Sequence, residues 1–139
     1  MTLTEAIEEL RKGNEPVPTP MRLPTPDEVA AAEAEVGVQF HPDFKRYLLE
    51  ASDVVFGTLE PVTVTDSTFS THLPTVCEDA WEEMDLPRKL LPICEDNGDY
   101  YCMNKHGEVI FWSSDGSTDE KWDDLATWIE LVWIGEDDN

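Results

Sequence analysis

The segment Leu91–Gly116, LPICEDNGDYYCMNKHGEVIFWSSDG, predicts three β-strands separated by two tight turns. Asn97-Gly98 is a strong hairpin signal, because both central residues of a type I′ turn need a positive φ. Gly107 can take the left-handed position of a second turn, which follows the run Tyr100–Met103. The last run, Glu108–Trp112, is β-branched and aromatic, as strands prefer. The segment therefore predicts an antiparallel meander.

The first turn also predicts a register. With Asn97-Gly98 at its centre, the expected pairs are Asp96 with Asp99, Cys94 with Tyr101 and Ile93 with Cys102. If the second turn is a three-residue loop with Gly107 left-handed, Asn104 faces Glu108. Because side chains alternate along a strand, one face should carry Ile93, Tyr100, Cys102, Ile110 and Trp112, and the other Cys94, Tyr101, Met103, Val109 and Phe111. One face is expected to pack on helices, and the other is either covered too or offered to a partner.

Two capping boxes predict helices at the start of the chain. Thr2-Leu3-Thr4-Glu5 begins a short helix that Gly13 can end. The proline-rich segment Asn14–Pro20 is expected to be an extended linker. Thr25-Pro26-Asp27-Glu28 begins a second helix, which Gly37 ends. This divides the chain into an N-terminal helix and linker (1–22) and a single domain (23–139).

The remaining elements complete an α+β pattern. A third helix is expected from His41-Pro42 and a fourth from Leu73. Thr58–Val64 alternates as a strand does, although Pro61 cannot donate a hydrogen bond, so this should be an edge or bulged strand. A last helix, capped by Asp123 and ended by Gly135, precedes an acidic tail at 136–139. The order predicts an antiparallel sheet packed against several helices in one domain.

The composition limits the classes of partner. The chain has 139 residues, of which 40% are hydrophobic, and carries a net charge of −22 from 31 acidic and 9 basic residues. Nucleic acid and anionic membranes are not expected partners, because both attract lysine and arginine. The acidic charge favours a basic protein partner, or it serves only solubility.

The cysteines and the N-terminus indicate a reducing compartment. The chain has 3 cysteines, Cys77, Cys94 and Cys102, without metal-site spacing, and the register places Cys94 and Cys102 on opposite faces. All three are expected to be free and buried. Acidic residues stand where a signal peptide needs basic ones, and no apolar run has membrane-spanning length. These features predict a cytoplasmic protein.

No pattern predicts catalysis or a cofactor. His41, His72 and His106 are far apart and match no metal motif, and Ser113, Ser114 and Ser117 are expected in loops rather than in a nucleophile motif. Asp115, Asp119 and Glu120 offer oxygen ligands for calcium, but their spacing does not fit an EF-hand loop. A solvated acidic loop is the preferred interpretation. No catalytic, cofactor-binding or metal-binding residue is assigned.

The meander resembles the central hairpin of the SUKH superfamily, through Gly98-Asp99-Tyr100-Tyr101-Cys102 and Gly107–Trp112. Thr25–Gly37, Phe40–Leu49 and the last helix also fit that pattern, so the resemblance covers about Leu23 to Trp133. Ala51-Ser52-Asp53 departs from the Asn-Gly-Gly that the family often has there. The superfamily contains bacterial toxin-immunity proteins and a fungal regulator of cell-wall synthesis.

The resemblance implies an α+β fold, no catalytic residue and a protein partner. The first hypothesis is an immunity protein that binds and neutralises a polymorphic toxin, with a basic, nuclease-type toxin as the candidate partner. The alternative is a regulatory adaptor of the same family that binds an endogenous protein. A small hydrolase or metal-dependent enzyme is a third possibility, which the residues do not support.

Charge and loop position suggest which residues contact the partner. We expect carboxylates near the sheet to act together with exposed aromatic side chains. Trp122, in a charged stretch, is the tryptophan most expected to be exposed. The predicted protein-binding residues are Asp96, Asp99, Tyr101, Asp115, Asp119 and Trp122.

Overall fold

Five helices and a four-stranded sheet form the protein within residues 1–113 and 115–135, which this computed structural model describes. The helices are α1 (Leu3–Lys12), α2 (Pro26–Val36), α3 (Pro42–Ala51), α4 (Leu73–Glu78) and α5 (Leu125–Trp128). The strands are β1 (Leu91–Asp96), β2 (Asp99–Met103), β3 (Val109–Ser113) and β4 (Gly116–Trp122). π-Helical turns extend α4 over Asp79–Glu83 and α5 over Ile129–Ile134. The predicted α+β class is confirmed, whereas the predicted loop residue Ser114 and the tail 136–139 lie outside the described residues.

Both predicted capping boxes form. The Thr2 hydroxyl accepts a hydrogen bond from the Glu5 amide, and the Thr25 hydroxyl accepts one from the Glu28 amide at 3.2 Å. The Glu28 carboxylate accepts from the Thr25 amide and from the guanidinium of Arg22. Arg22 first, and then the Thr25 amide, lower the pKa of Glu28 from 4.5 to about 2. The contribution of ionised Glu28 is therefore fully present above pH 4.5 and is lost as the pH falls towards 2.

Replacing Thr25 with alanine is expected to lower the free energy of unfolding by roughly 1 kcal/mol, because the Glu28 amide loses its partner. Thr25→Ser keeps the hydroxyl and is the matched control. Chemical denaturation of both variants checks the prediction. A serine variant as unstable as the alanine variant would show that the hydroxyl is not responsible.

The strands form an antiparallel meander in the order β1-β2-β3-β4. Asn97 and Gly98 have φ values of 53° and 90°, as the predicted turn requires. The predicted pairs Asp96–Asp99 and Cys94–Tyr101 form. Gly107 has a φ of 86° and its amide donates to the Asn104 carbonyl, which closes the second turn as predicted.

A bulge changes the predicted register at the start of β1. Pro92, rather than Ile93, lies opposite Cys102, and the bulge falls between Pro92 and Cys94. Proline has no amide hydrogen for the ladder, which explains why regular pairing fails there. Ile93 instead lines a small cavity together with Tyr47 and Trp128, so its predicted face was wrong.

Three other predictions about the elements were wrong. Thr58–Val64 forms only isolated bridges through Pro61 and Thr63, because the chain leaves β1 after the Val62 amide has donated to Ile93. The stretch expected as a loop after β3 is β4. Asp124, rather than Asp123, caps the last helix, and its carboxylate accepts from the Thr127 amide at 2.8 Å.

Helices cover both faces of the sheet. On one face, the ring of Tyr101 lies 5.3 Å from that of Trp128, and Trp128 in turn contacts Trp133. On the other face, Cys102 lies near Cys77 of α4. The sequence left open whether the second face of the sheet is covered or offered to a partner. The structure shows that the protein itself covers it.

The N-terminal helix shares the core of the domain. Leu3, Ala6, Ile7 and Leu10 of α1 are buried in the same hydrophobic cluster as the sheet and the other helices. Arg11 donates to the Asp53 carboxylate at 2.7 Å, and the Glu15 amide donates to the Val55 carbonyl. The boundary at residue 22 therefore separates segments that pack together.

The three cysteines are buried thiols that form no disulfide within the described residues, as predicted. Burial raises the pKa of the Cys77 thiol to about 12, and burial, with a smaller effect of Cys77, raises that of Cys102. We therefore expect a thiol-specific disulfide reagent to label the native protein slowly at neutral pH and to find three thiols after unfolding without reductant. Detection of only one thiol after unfolding would contradict the free state.

Candidate protein-interaction surface

Carboxylates gather at one end of the sheet because of its topology. In an antiparallel meander the β1–β2 and β3–β4 turns lie at the same end. This end carries Glu95 and Asp96 before the first turn, Asp99 after it and Asp115 in the second. We call these four residues the acidic sheet end. The structure therefore brings together three of the predicted binding residues, Asp96, Asp99 and Asp115.

Basic residues lie at the opposite end of the sheet. Lys89 precedes the start of β1, Lys105 lies in the β2–β3 turn, and Lys121 is the penultimate residue of β4. Lys121 is paired with Glu108 at 3.2 Å. The same end also carries Glu108, Asp123 and Asp124, so its charges are balanced, in contrast to the acidic sheet end.

Most basic side chains are already paired with carboxylates of the same chain. Within the described residues, ion pairs involve seven of the 9 lysines and arginines: Arg11, Lys12, Arg22, Lys45, Arg46, Arg88 and Lys121. Such surface pairs contribute little to stability. These seven pairs neutralise carboxylates elsewhere on the protein, because none of their acidic members belongs to the acidic sheet end.

The other three predicted binding residues lie away from this end. Tyr101 is 6% exposed and packs among Phe111, Trp122 and Trp128, so the expectation of an exposed Tyr101 was wrong. Trp122 ends β4 and is half-buried, because its ring lies 5.8 Å from that of Tyr101. Asp119 is exposed on β4 between the two ends of the sheet.

A cleft next to the acidic sheet end carries further carboxylates. It has a volume of about 360 Å³ and is lined by Glu60, Asp79, Glu95 and Tyr100, above Val62 and Val76. The three carboxylates come from a loop, a helical turn and a strand. We call this the acidic cleft. None of its lining residues is a predicted binding residue, although Glu95, Gly98 and Tyr100 are each next to one in the sequence.

Tyr100 forms the buried wall of the acidic cleft. Its side chain is 5% exposed, and it lies beside Glu95 in the β-ladder. Burial first, and then the charges of Glu95 and Asp79, raise the pKa of its phenol.

An apolar groove adjoins the acidic cleft. It has a volume of about 270 Å³, and its apolar lining is Met21, Val54, Val55, Leu59, Pro61 and Phe69. Phe69 is 37% exposed, which is unusual for a large apolar side chain. Glu60, Ser70 and Thr71 line both the groove and the cleft. An apolar area and an acidic area therefore form one continuous surface.

The acidic residues do not converge on a metal site. In residues 1–113 and 115–135, no three His, Cys, Asp or Glu side chains are placed to hold a metal ion. The calcium alternative at Asp115, Asp119 and Glu120 gains no support from this arrangement. None of the helices in the same residues has the length and apolar character needed to cross a bilayer.

Comparisons with known proteins agree with this fold. Residues 3–134 match the family SUKH_5, described as "SMI1-KNR4 cell-wall". The chain is also similar to a protein from Pseudomonas syringae pv. tomato whose crystal structure is known. The two are 45% identical, with a TM-score of 0.91, and the alignment covers 95% of this chain and 98% of that chain. No curated protein matches the sequence.

The family match includes α1 and the proline-rich segment, in addition to the segment from Leu23 that showed the resemblance. It spans nearly the whole of the described chain. The shared fold and the matched length lead to one conclusion: this chain belongs to the SUKH_5 family of SUKH-domain proteins.

Proposed function

We propose that this protein is an immunity protein, which binds a toxin through its acidic sheet end and the adjoining acidic cleft. The observation that carries the proposal is the gathering of Glu95, Asp96, Asp99 and Asp115 at one end of the sheet, whereas carboxylates balance the lysines at the other end. Membership of a protein-interacting family supports it, as does the close similarity to a bacterial protein.

A basic, nuclease-type toxin is the partner that this surface fits best. Such a toxin needs positive charge where it grips phosphate groups, and an acidic protein competes for that area. With a net charge of −22, the protein attracts a basic partner over a distance and accelerates the encounter. Binding blocks the toxin without a catalytic step, and the proposed location of the complex is the cytoplasm.

The experiment is protection from toxins encoded beside this gene. Each toxin is expressed in a bacterial host with and without the protein, and growth is recorded. We expect growth to be restored by the wild type and reduced for a variant with Asp96→Asn and Asp115→Asn. The matched control is Glu8→Gln with Glu35→Gln, which removes the same charge from α1 and α2. No protection from any neighbouring toxin would reject the immunity function.

A regulatory adaptor is the second candidate. The observation that favours it is the family's description, "SMI1-KNR4 cell-wall", which refers to the cell wall rather than to toxins. In that case the same surface binds an endogenous protein. Affinity capture from cells that lack a neighbouring toxin gene should then recover one partner with the wild type and less of it with the Asp96→Asn, Asp115→Asn variant.

A further inference from the structure

The apolar groove beside the acidic cleft combines buried and exposed apolar side chains. Val54, Leu59 and Pro61 line it and are buried. Met21 of the proline-rich segment is half-buried, and Phe69 is exposed. Methionine and phenylalanine are among the residue types that are enriched where proteins contact one another. The groove therefore has the composition of an interaction site rather than that of the surrounding polar surface.

Hydrogen bonds hold the two segments that supply the exposed part of the groove. Arg22, which follows Met21, donates two hydrogen bonds to the Glu28 carboxylate, both at 2.7 Å. On the other side, the Phe69 carbonyl accepts a hydrogen bond from the His72 amide at 3.1 Å. These contacts position Met21 and Phe69 before a partner arrives. A preformed groove binds more tightly, because less conformational entropy is lost on binding.

The size of the groove fits one side chain. Its volume of about 270 Å³ lies below the range of about 300–1,000 Å³ that is typical of sites for small molecules. Glu60 is the only charged residue among the described residues that line it, so few groups are present to orient a cofactor. A single large apolar side chain, such as leucine, is the occupant that the groove favours.

Charge indicates which kind of protein supplies that side chain. Glu60 is exposed, and the acidic cleft, which shares it, adds Asp79 and Glu95. A second copy of this chain would bring another net charge of −22 to this surface, and the two copies would repel each other. A basic protein would be attracted instead. The groove is therefore better suited to a basic partner than to self-association.

We propose that the apolar groove receives a leucine-sized apolar side chain of the partner, from a segment in which basic residues flank that side chain. This rests on the proposed function and specifies which part of the toxin is recognised. The apolar side chain packs against Met21, Leu59 and Phe69, and a flanking basic residue lies against Glu60. Apolar burial in the groove provides affinity, whereas the acidic charge accelerates the encounter.

Short peptides test the groove without the toxin. The probe is acetyl-Lys-Leu-Lys-amide, titrated into the intact protein while the amide signals of Leu59 and Thr71, which line the groove, are followed by NMR. Acetyl-Lys-Ala-Lys-amide has the same charge, and we expect it to bind at least about 10-fold more weakly, because less apolar surface is buried.

A third peptide, acetyl-Glu-Leu-Glu-amide, tests the charge. It keeps the leucine and is also expected to bind at least about 10-fold more weakly, because its carboxylates are repelled. Equal binding of the leucine and alanine peptides would overturn the proposal, since attraction by charge alone does not distinguish them. Equal binding of the glutamate peptide would overturn the requirement for basic flanking residues.

Variants locate the binding within the protein. Phe69→Ser is expected to weaken binding of the Lys-Leu-Lys peptide at least about 5-fold, because it removes the exposed aromatic side chain of the groove. Leu131→Ser is the matched control, since Leu131 is an exposed apolar residue outside the groove, and it should leave binding unchanged. Glu60→Gln should weaken binding about 3-fold, whereas Glu8→Gln should not. Equal weakening by Phe69→Ser and Leu131→Ser would reject the groove as the site.

The two proposals can fail separately. If the wild type protects cells and Phe69→Ser protects them equally well, the immunity function stands and the groove is not where the toxin binds. If the wild type binds the Lys-Leu-Lys peptide with the expected preferences but protects against no neighbouring toxin, the groove stands as a binding site and the immunity function is rejected. Sedimentation of a dimer that Phe69→Ser dissociates would show that a second copy occupies the groove, and would overturn the proposal.

Discussion

Replacing Gly107 with alanine is expected to lower the free energy of unfolding by about 1.5–4 kcal/mol, which is a large part of the stability of a domain of this size. Gly107 has a φ of 86°, where an alanine costs roughly 1–2 kcal/mol. A Cβ atom there would also lie 2.6 Å from Nε2 of His41. The His41 ring is held in place, because its Nδ1 accepts a hydrogen bond from the Asp43 amide at the start of α3. Moving the ring away from the new methyl group therefore breaks a helix cap, at a further cost of about 0.5–2 kcal/mol.

Gly98 offers a matched control for this prediction. Its φ of 90° is nearly the same, but a Cβ atom there would meet no other atom within 4 Å. Gly98→Ala should therefore cost only the backbone term, about 1–2 kcal/mol. Chemical denaturation of both variants measures the difference, and Gly107→Ala in a His41→Ala background tests its cause. If the cost of Gly107→Ala is the same in both backgrounds, contact with His41 is not the reason.

The association rate with the cognate toxin should fall by about 10-fold or more as ionic strength rises from about 0.01 M to about 1 M. The screening length decreases over that range from about 30 Å to about 3 Å, so the acidic sheet end no longer attracts the toxin from a distance. Dissociation should change much less, because the contacts in the complex are short. Stopped-flow mixing at several salt concentrations gives both rates.

The same measurement with variants shows where the attraction arises. Asp96→Asn with Asp115→Asn should slow association more than it speeds dissociation, because these carboxylates lie at the end that is expected to meet the toxin first. Glu8→Gln with Glu35→Gln removes the same net charge elsewhere and should have a smaller effect. An association rate that is independent of salt would contradict electrostatic steering, even if the complex is tight.

The features that the sequence predicted well are those governed by local chemistry. Asn97-Gly98 predicted the first turn because few other residues adopt a positive φ at both positions. Thr25 and Glu28 predicted the start of α2 because the capping box involves only residues three apart. These local signals predicted the meander, the residue pairs beside its first turn, and the helices before and after it in the sequence.

The wrong predictions depend on contacts between distant segments. Ser117–Lys121 is polar and has weak strand propensity, so β4 forms mainly through pairing with β3 and packing of Trp122 on Tyr101. The same packing buries Tyr101, which the sequence offered as an exposed aromatic residue. The acidic cleft could not be predicted either, because Glu60, Asp79 and Tyr100 are far apart in the chain and show no shared spacing.

The placement of the acidic sheet end on two turns bears on how such a protein can diversify. A Cβ atom at Gly98 would meet open space, and Asp115 is exposed, whereas the strands between the two turns pack on helices from both faces. Substitutions at Asp96, Asp99 and Asp115 therefore change what the surface presents while the buried residues that specify the fold stay the same. A lineage can in this way follow a changing partner through a few turn residues, without rebuilding its core.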